Sequence, residues 1–291
     1  MKVLGIIIGL LLALALFYLF ALMGRKGEKK MEILRKYRYA HRGLHNSKQG
    51  IPENSILAFR YALAGNFGVE LDVHLTRDER LVVIHDSDLT RLCGVEGMVE
   101  EMDWADLRQL RLQGTQERIP LLEEVLPLFE EKTPLIIEAK VAKGNYRELC
   151  HHLCHMLGEY RGNFCVESFD PRFLYCLRRT EPFFIRGQLV ENFLKASEVD
   201  DLTIPTKLLL TSLAGNLFTR PDFVACCYAH RDMLPARICR RWLKVPDVSW
   251  TIRTKEEMAA AEKDGAMVIF ENFLPDLKRK KKAEPPKTET E

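Results

Sequence analysis

The chain has 291 residues, 47% of them apolar, enough for one large core plus appendages, and a single α/β barrel takes roughly 250 residues. Its 43 basic and 41 acidic residues are interspersed through the middle and leave a net charge of only +2, which excludes the broad basic footprint of a nucleic-acid binder. Eight cysteines, with Cys226 and Cys227 adjacent and no CxxC, suit buried free thiols in a reducing compartment better than a disulfide framework.

In chain order, the first feature is an uncharged run from Val3 to Met23 dominated by Leu, Ile and Ala. It can cross a hydrocarbon core of about 30 Å as a helix, exceeds the apolar region of a secretory signal, and is followed by no A-x-A cleavage site. Residues 1–25 are therefore expected to be an uncleaved transmembrane anchor and its flank. Lys2 is the one charged side chain before the run, whereas Arg25, Lys26, Lys29, Lys30, Arg35, Lys36 and Arg38 follow it. Residues 26–36 thus read as a basic juxtamembrane segment, and the positive-inside rule places the rest of a single-pass cell-membrane protein in the cytoplasm.

Short β-rich apolar runs then alternate with helical patterns. The strand candidates are Tyr37 to Ala40, Gly68 to Val73, Leu81 to Ile84, Pro134 to Lys140, Asn163 to Glu167, Phe183 to Val190, Asp222 to Tyr228, Asp247 to Ile252 and Ala266 to Glu271. Amphipathic stretches lie between most of them: Glu53 to Leu63, Tyr146 to Gly158, Pro171 to Arg179 and Lys255 to Lys263. Such alternation argues for parallel βαβ units, and about eight repetitions without GxGxxG or a Walker A sequence fit a closed (β/α)₈ barrel better than an open sheet. Leu81 to Ile84 follows the second strand too closely for an intervening helix, and Glu100 to Leu112 reads as a separate short helical segment, so a small insertion after the second strand is expected. Beyond a barrel at 37–277, Lys278-Arg279-Lys280-Lys281-Lys282 followed by Pro and Glu reads as a disordered, solvated tail at 278–291, the alternative being attraction to an anionic leaflet, worth about 1 kcal/mol per basic residue.

The chemistry-bearing residues end the strands. Glu70 and Asp72 are two apart on one strand, so both carboxylates face the same side; Glu138 and Lys140 repeat that spacing on another. At a barrel's carboxyl rim these acids would repel one another without a cation, and all-oxygen ligation suits Mg²⁺ or Ca²⁺. His41 and His85 each close an apolar strand. One can take a proton and the other return one, the pair of transfers that P–O cleavage with an alcohol leaving group needs. Asp86 is placed to orient an imidazole, and Arg42 and Lys140 supply positive charge for a phosphodiester anion.

The series His41-Arg42-Gly43, Pro52-Glu53-Asn54-Ser55, Glu70-Leu71-Asp72-Val73, Val83-Ile84-His85-Asp86, Ile137-Glu138-Ala139-Lys140, Glu167-Ser168-Phe169-Asp170 and Ser249-Trp250-Thr251-Ile252 resembles the glycerophosphodiester phosphodiesterase family in order and spacing, over about residues 37 to 275. The resemblance implies a TIM barrel with an insertion after its second strand. It further implies that Glu70, Asp72 and Glu138 hold a divalent metal and that His41 and His85 act as general acid and base. Glu53 would lie near the metal, Arg42 and Lys140 near the phosphate, and Trp250 in the pocket wall. The implied reaction is hydrolysis of a glycerophosphodiester to an alcohol and sn-glycerol 3-phosphate. The alternatives are a membrane-associated lysophospholipase D acting on lysolipids, and an inactive tethered phosphate-binding scaffold.

Two positions depart from the pattern. Glu271-Asn272 stands where the family usually has Thr-Asp, and Arg253 stands where Asn commonly follows Trp-Thr; both bear on substrate choice. The run Cys150-His151-His152-Leu153-Cys154-His155 lacks a second ligand pair for zinc and is read as a cysteine stripe packed on the barrel with its histidines in solvent. Arg178-Arg179 and Arg240-Arg241 are read as solvated helix faces.

Overall fold

The computed structural model describes residues 2–25, 30–195 and 202–276. Lys26, Lys29 and the basic tail expected at 278–291 lie outside them. Eight strands run parallel: β1 (Tyr39–His41), β2 (Gly68–Leu75), β4 (Leu135–Ala139), β5 (Phe164–Ser168), β6 (Arg186–Val190), β7 (Phe223–Cys227), β8 (Asp247–Ile252) and β9 (Met267–Phe270). Neighbours pair in that order, and β1 pairs with both β9 and β2, which closes the sheet into the expected barrel. The ninth strand, β3 (Leu81–Val83), pairs antiparallel with the far end of β2 through Val73–Val83 and Leu75–Leu81.

The pleat divides each strand between two environments. Val69, Leu71 and Val73 of β2, Ile137 of β4 and Val166 of β5 pack outward with Leu149, Leu153 and Phe173 of the surrounding helices. Tyr39, Ile136, Cys165, Ala225 and Ile269 fill the barrel, joined by Met31 and Leu34. The segment expected to be a basic linker thus contributes two buried side chains to the barrel floor, each worth about 1.5–3 kcal/mol if fully withdrawn from water. The alternate, inward positions nearer the strand ends are Glu70, Asp72, Glu138 and Glu167, all buried.

The insertion after β3 has its own core of Val82, Ile84, Leu89, Leu92, Val99, Leu107, Leu112, Ile119 and Leu121. The helical segment expected from Glu100 to Leu112 is instead three short turns, Val99–Glu101, Trp104–Leu107 and Leu112–Gly114. Asp103 and Arg111 are extended and Gln113 has a φ of 50°, so periodicity there reflects a small core, not one helix. Likewise the helix expected from Glu53 begins at Ile56, because Ser55 caps it by accepting from the Ala58 N–H, leaving Glu53 and Asn54 free to serve the mouth.

Cys150 and Cys154 are buried while His151 and His155 are exposed, and the eight cysteines are unpaired thiols. Arg240 corrects the expectation of a solvated pair. It is 9% exposed, donates from Nη1 to the Arg231 carbonyl and faces Asp247, because that segment folds as a π-turn which carries the side chain under the chain.

Candidate active site

The carboxyl ends of the strands open into a cleft of about 460 Å³ lined by His41, Arg42, Glu70, His85, Glu138, Lys140, Glu167, Trp250 and Arg253 among others. Parallel register sets the floor: Asp72 lies opposite Glu138, and Glu138 opposite Glu167. One carboxylate oxygen from each of Glu70, Asp72 and Glu138 falls within 4.8 Å of the others, all three residues buried.

Burial and mutual repulsion dominate this floor. Burial, then the neighbouring acids, push Glu70 and Glu167 well above the usual carboxylate range, and Glu138 is raised for the same reasons. Asp72 is the exception. Burial would raise it too, but Lys140, His85 and Arg42 outweigh that and hold it well below. Lys140 Nζ sits 3.0 Å from Asp72 Oδ1 and 2.8 Å from Glu138 Oε1, and although burial disfavours its charge, these anions keep it protonated. Four buried acids thus face two cations, Lys140 and Arg42. Glu167 Oε2 has no hydrogen-bond donor. An excess of hard oxygen donors, one without a donor partner, fits a divalent cation such as Mg²⁺ or Ca²⁺ held by Glu70, Asp72 and Glu138.

His41 ends β1 beside Glu70, its Nε2 3.8 Å from Glu70 Oε2, and its Nδ1 lies 2.7 Å from Glu271 Oε2. Burial pushes this imidazole down to about 4 despite the Glu271 carboxylate. At neutral pH it is therefore uncharged, with Nδ1–H donated to Glu271 and the Nε2 lone pair turned to the cleft. The next two residues turn sharply: Arg42 has φ 53° and Gly43 φ 81°, where a β-carbon would come within 2.9 Å of Ala58. That turn aims the Arg42 backbone N–H at Glu70 Oε2 at 3.1 Å. Asn54 donates through Nδ2 to Asp72 Oδ2 at 2.8 Å, and its backbone N–H donates to the Arg42 carbonyl at 2.9 Å.

His85 reaches the cleft from the insertion. Its Nδ1 is 2.6 Å from Asp86 Oδ1, and Asp86 is held below its ordinary range because the His85 and Arg91 hydrogen bonds overcome burial. Glu53 does not join the acid cluster. Arg42 Nη1 takes it at 2.7 Å and Arg91 Nη2 at 2.8 Å, so it touches the floor only through Arg42, whose Nε lies 3.5 Å from Asp72 Oδ2. Trp250 donates from Nε1 to the Ala225 carbonyl at 3.0 Å and packs edge-on against Phe169, forming an apolar wall.

Four further participants had no metal-binding or proton-transfer role expected of them. Glu167, present in the sequence only as part of a motif, adds a fourth acid because its register sets it opposite Glu138. Arg91 ties Glu53 to Asp86 from within the insertion. Glu271 and Arg253, read as separate departures from the family pattern, are partners, with Arg253 Nε and Nη2 each 2.8 Å from Glu271 Oε1. A second group of possible metal ligands, Glu191, Cys227 and His230, lies at the same mouth. There His230 Nδ1 accepts the Asn192 N–H at 3.2 Å, which keeps the ring proton on Nε2, the wrong arrangement for an Nε2 ligand.

Fold and mouth together define a (β/α)₈-barrel protein with its buried charge concentrated at the rim where barrel enzymes work. The chain belongs to the glycerophosphoryl diester phosphodiesterase family, whose model matches residues 41–274. A glycerophosphodiester phosphodiesterase of Bacillus altitudinis is 44% identical over 72 residues, covering 24% of this chain and 28% of that relative. A putative glycerophosphodiester phosphodiesterase of Bacillus subtilis is 40% identical over 157 residues, covering 50% and 62%. Human lysophospholipase D GDPD1 is 35% identical over 108 residues, a third of each chain (33% and 33%). Each of these matches spans less than two thirds of the curated relative, and the first about a quarter of it. Among solved structures, a putative family member from Silicibacter pomeroyi superposes with a TM-score of 0.66 at 22% identity, covering 84% of this chain and 94% of that one. An Oleispira antarctica phosphodiesterase in complex with the product sn-glycerol-3-phosphate gives 0.64 at 21%, covering 81% and 92%.

Proposed function

We propose that this chain is a metal-dependent phosphodiesterase that hydrolyses glycerophosphodiesters to an alcohol and sn-glycerol 3-phosphate. The observation carrying the reading is the convergence of Glu70, Asp72 and Glu138 within 4.8 Å beneath two histidines that each have a carboxylate on Nδ1. A bound Mg²⁺ or Ca²⁺ would supply Lewis-acid polarisation of the phosphate oxygens and lower the pKa of the attacking hydroxyl. Arg42 and Lys140 favour the approach of an anion. His41, neutral and with Nε2 free, takes the proton from the attacking water or glycerol hydroxyl. His85, its Nδ1 held by Asp86, returns one to the departing alcohol oxygen, and Trp250 and Phe169 line the alcohol side.

The full chain, stripped with a chelator and given back Mg²⁺ or Ca²⁺, is expected to release glycerol 3-phosphate from glycerophosphocholine. Absence of metal-dependent release from this substrate and from lysophosphatidylcholine would overturn the reading. Release of lysophosphatidic acid from lysophosphatidylcholine alone would establish the second reading, a lysophospholipase D, which the apolar Trp250–Phe169 wall and the N-terminal helix favour.

Glu271 acts as a positioning residue for His41. Replacing it with Gln is expected to reduce kcat about 10- to 100-fold, the usual effect of losing a functional histidine's hydrogen-bond partner. Its negative charge raises the His41 pKa against burial, so its loss lowers that pKa and moves the acidic limb of the kcat/KM profile to lower pH. An unchanged limb would show that Glu271 only packs.

The membrane assignment belongs to the same reading. Helix Lys2–Leu22 is long and apolar enough to span a bilayer, and none of its most apolar window is buried. Its last turn is part of the domain, since Ala21 and Leu22 are 3% and 0% exposed. Cleavage there would tear two side chains from the core, so an uncleaved anchor at 1–25 is favoured over a signal peptide, with the 37–277 barrel on the side of Arg25, Arg35, Lys36 and Arg38, the cytoplasmic side.

A further inference from the structure

The helix does not end in a free tether. Tyr18 donates its hydroxyl to the Ser212 carbonyl at 2.7 Å, and Arg220 Nη1 donates to the Phe20 and Met23 carbonyls at 2.8 and 2.9 Å while its guanidinium lies 4.3 Å over the Phe20 ring. The Arg25 N–H donates to the Pro221 carbonyl at 2.9 Å, and its guanidinium pairs with Asp222 at 2.7 Å and donates to the Phe184 carbonyl at 3.2 Å. Three stretches of the barrel are therefore fixed to the helix exit: the turn before β6, the turn before β7, and helix Ile204–Thr211 with Ser212.

Those stretches carry large exposed apolar side chains. Phe183 is 73% exposed, Phe218 61%, Ile204 68%, Leu208 51% and Leu209 52%. Trp242, 71% exposed, lines the same cleft as Met23, Gly24 and Arg25. Residues 202–221 and 233–246 contain no Asp or Glu but do contain, besides the buried Arg240, Lys207, Arg220, Arg237, Arg241 and Lys244. In water this is an unfavourable surface for a monomeric domain. At a bilayer it is not, because aromatic rings and cations are favoured at headgroup level. The helix length dictates that level. The residues ahead of the first one bonded to the barrel, Tyr18, number about sixteen and span roughly 24 Å at about 1.5 Å each, no more than the hydrocarbon thickness, so the exit is drawn to the headgroups together with everything bonded to it.

We propose that the face bearing Phe183, Ile204, Leu208, Leu209, Phe218 and Trp242 docks on the lipid leaflet that receives helix Lys2–Leu22, holding the barrel at one fixed orientation on the membrane. The proposal rests on the spanning reading of that helix given above. It is tested with the full chain reconstituted in phosphatidylcholine–phosphatidylglycerol vesicles, with or without bromine on the acyl chains next to the headgroup. Tryptophan emission is expected to be quenched by the brominated lipid, with the quenchable share lost in Trp242→Phe and retained in Trp104→Phe, whose residue lies in the insertion. A chain that resists alkaline extraction from the vesicles yet shows no extra quenching, or the same quenching in Trp242→Phe, overturns docking while leaving the anchor standing. Unquenched emission with cross-linked dimers would assign the face to a second copy instead. A chain that washes off the vesicles removes the anchor and the docking together.

Discussion

Replacing His85 with Ala is expected to lower kcat by roughly 10² to 10⁴, the contribution of one positioned acid or base, with thermal stability nearly unchanged. The reason lies in how the residue is held. Its side chain is 27% exposed, with Nδ1 bonded to its sequence neighbour Asp86. It follows Ile84, which is fully buried, so strand placement does not depend on the imidazole. Deleting the ring removes a proton donor at the cleft without opening the insertion core. Activity assays alongside a melting curve separate the two outcomes, and a large fall in Tm would make His85 a structural residue.

Glu70→Gln is expected to abolish metal-dependent activity, a loss of about 10³-fold if the metal supplies some 4 kcal/mol of charge stabilisation, and yet to leave the metal-free protein as stable as before or more so. Burial together with Asp72, Glu138 and Glu167 makes the Glu70 charge unfavourable, opposed mainly by Arg42. Because its folded pKa is raised, ionising Glu70 costs stability as pH rises above the ordinary carboxylate range, and a neutral amide is spared that cost. Melting curves with and without Mg²⁺ or Ca²⁺ at pH 8 check both halves. The parent should gain Tm on metal addition and the variant should not. Retained metal-induced stabilisation in Glu70→Gln would show that the cation sits elsewhere.

How far the sequence carried the fold depended on periodicity. The parallel strands were legible because each is an apolar run bounded by loop residues, and His41, Glu70, Asp72 and Glu138 were legible because each ends or interrupts such a run at a two-residue step. The insertion was not. Its helical spacing from Glu100 to Leu112 arises from side chains filling a small core on three unconnected turns. Arg240 was misread for a related reason, since a π-turn shifts the buried face by a residue and composition says nothing about that. The partners of the site were hidden because they come from distant stretches. Arg253 and Glu271 are 18 residues apart in the chain, and Glu271 reaches His41 across 230.

The insertion's separate core has a consequence for how activity can be lost. His41 rides on a strand paired on both sides within the closed barrel, whereas His85 follows β3, which pairs with β2 on one side and on the other only bridges Leu121 of the insertion. The two proton-transfer groups therefore differ in their support, and hydrogen exchange is expected to be faster in the insertion beside His85 than along β1. If that difference holds, loosening the insertion core would cost activity before it lowered the melting temperature of the barrel.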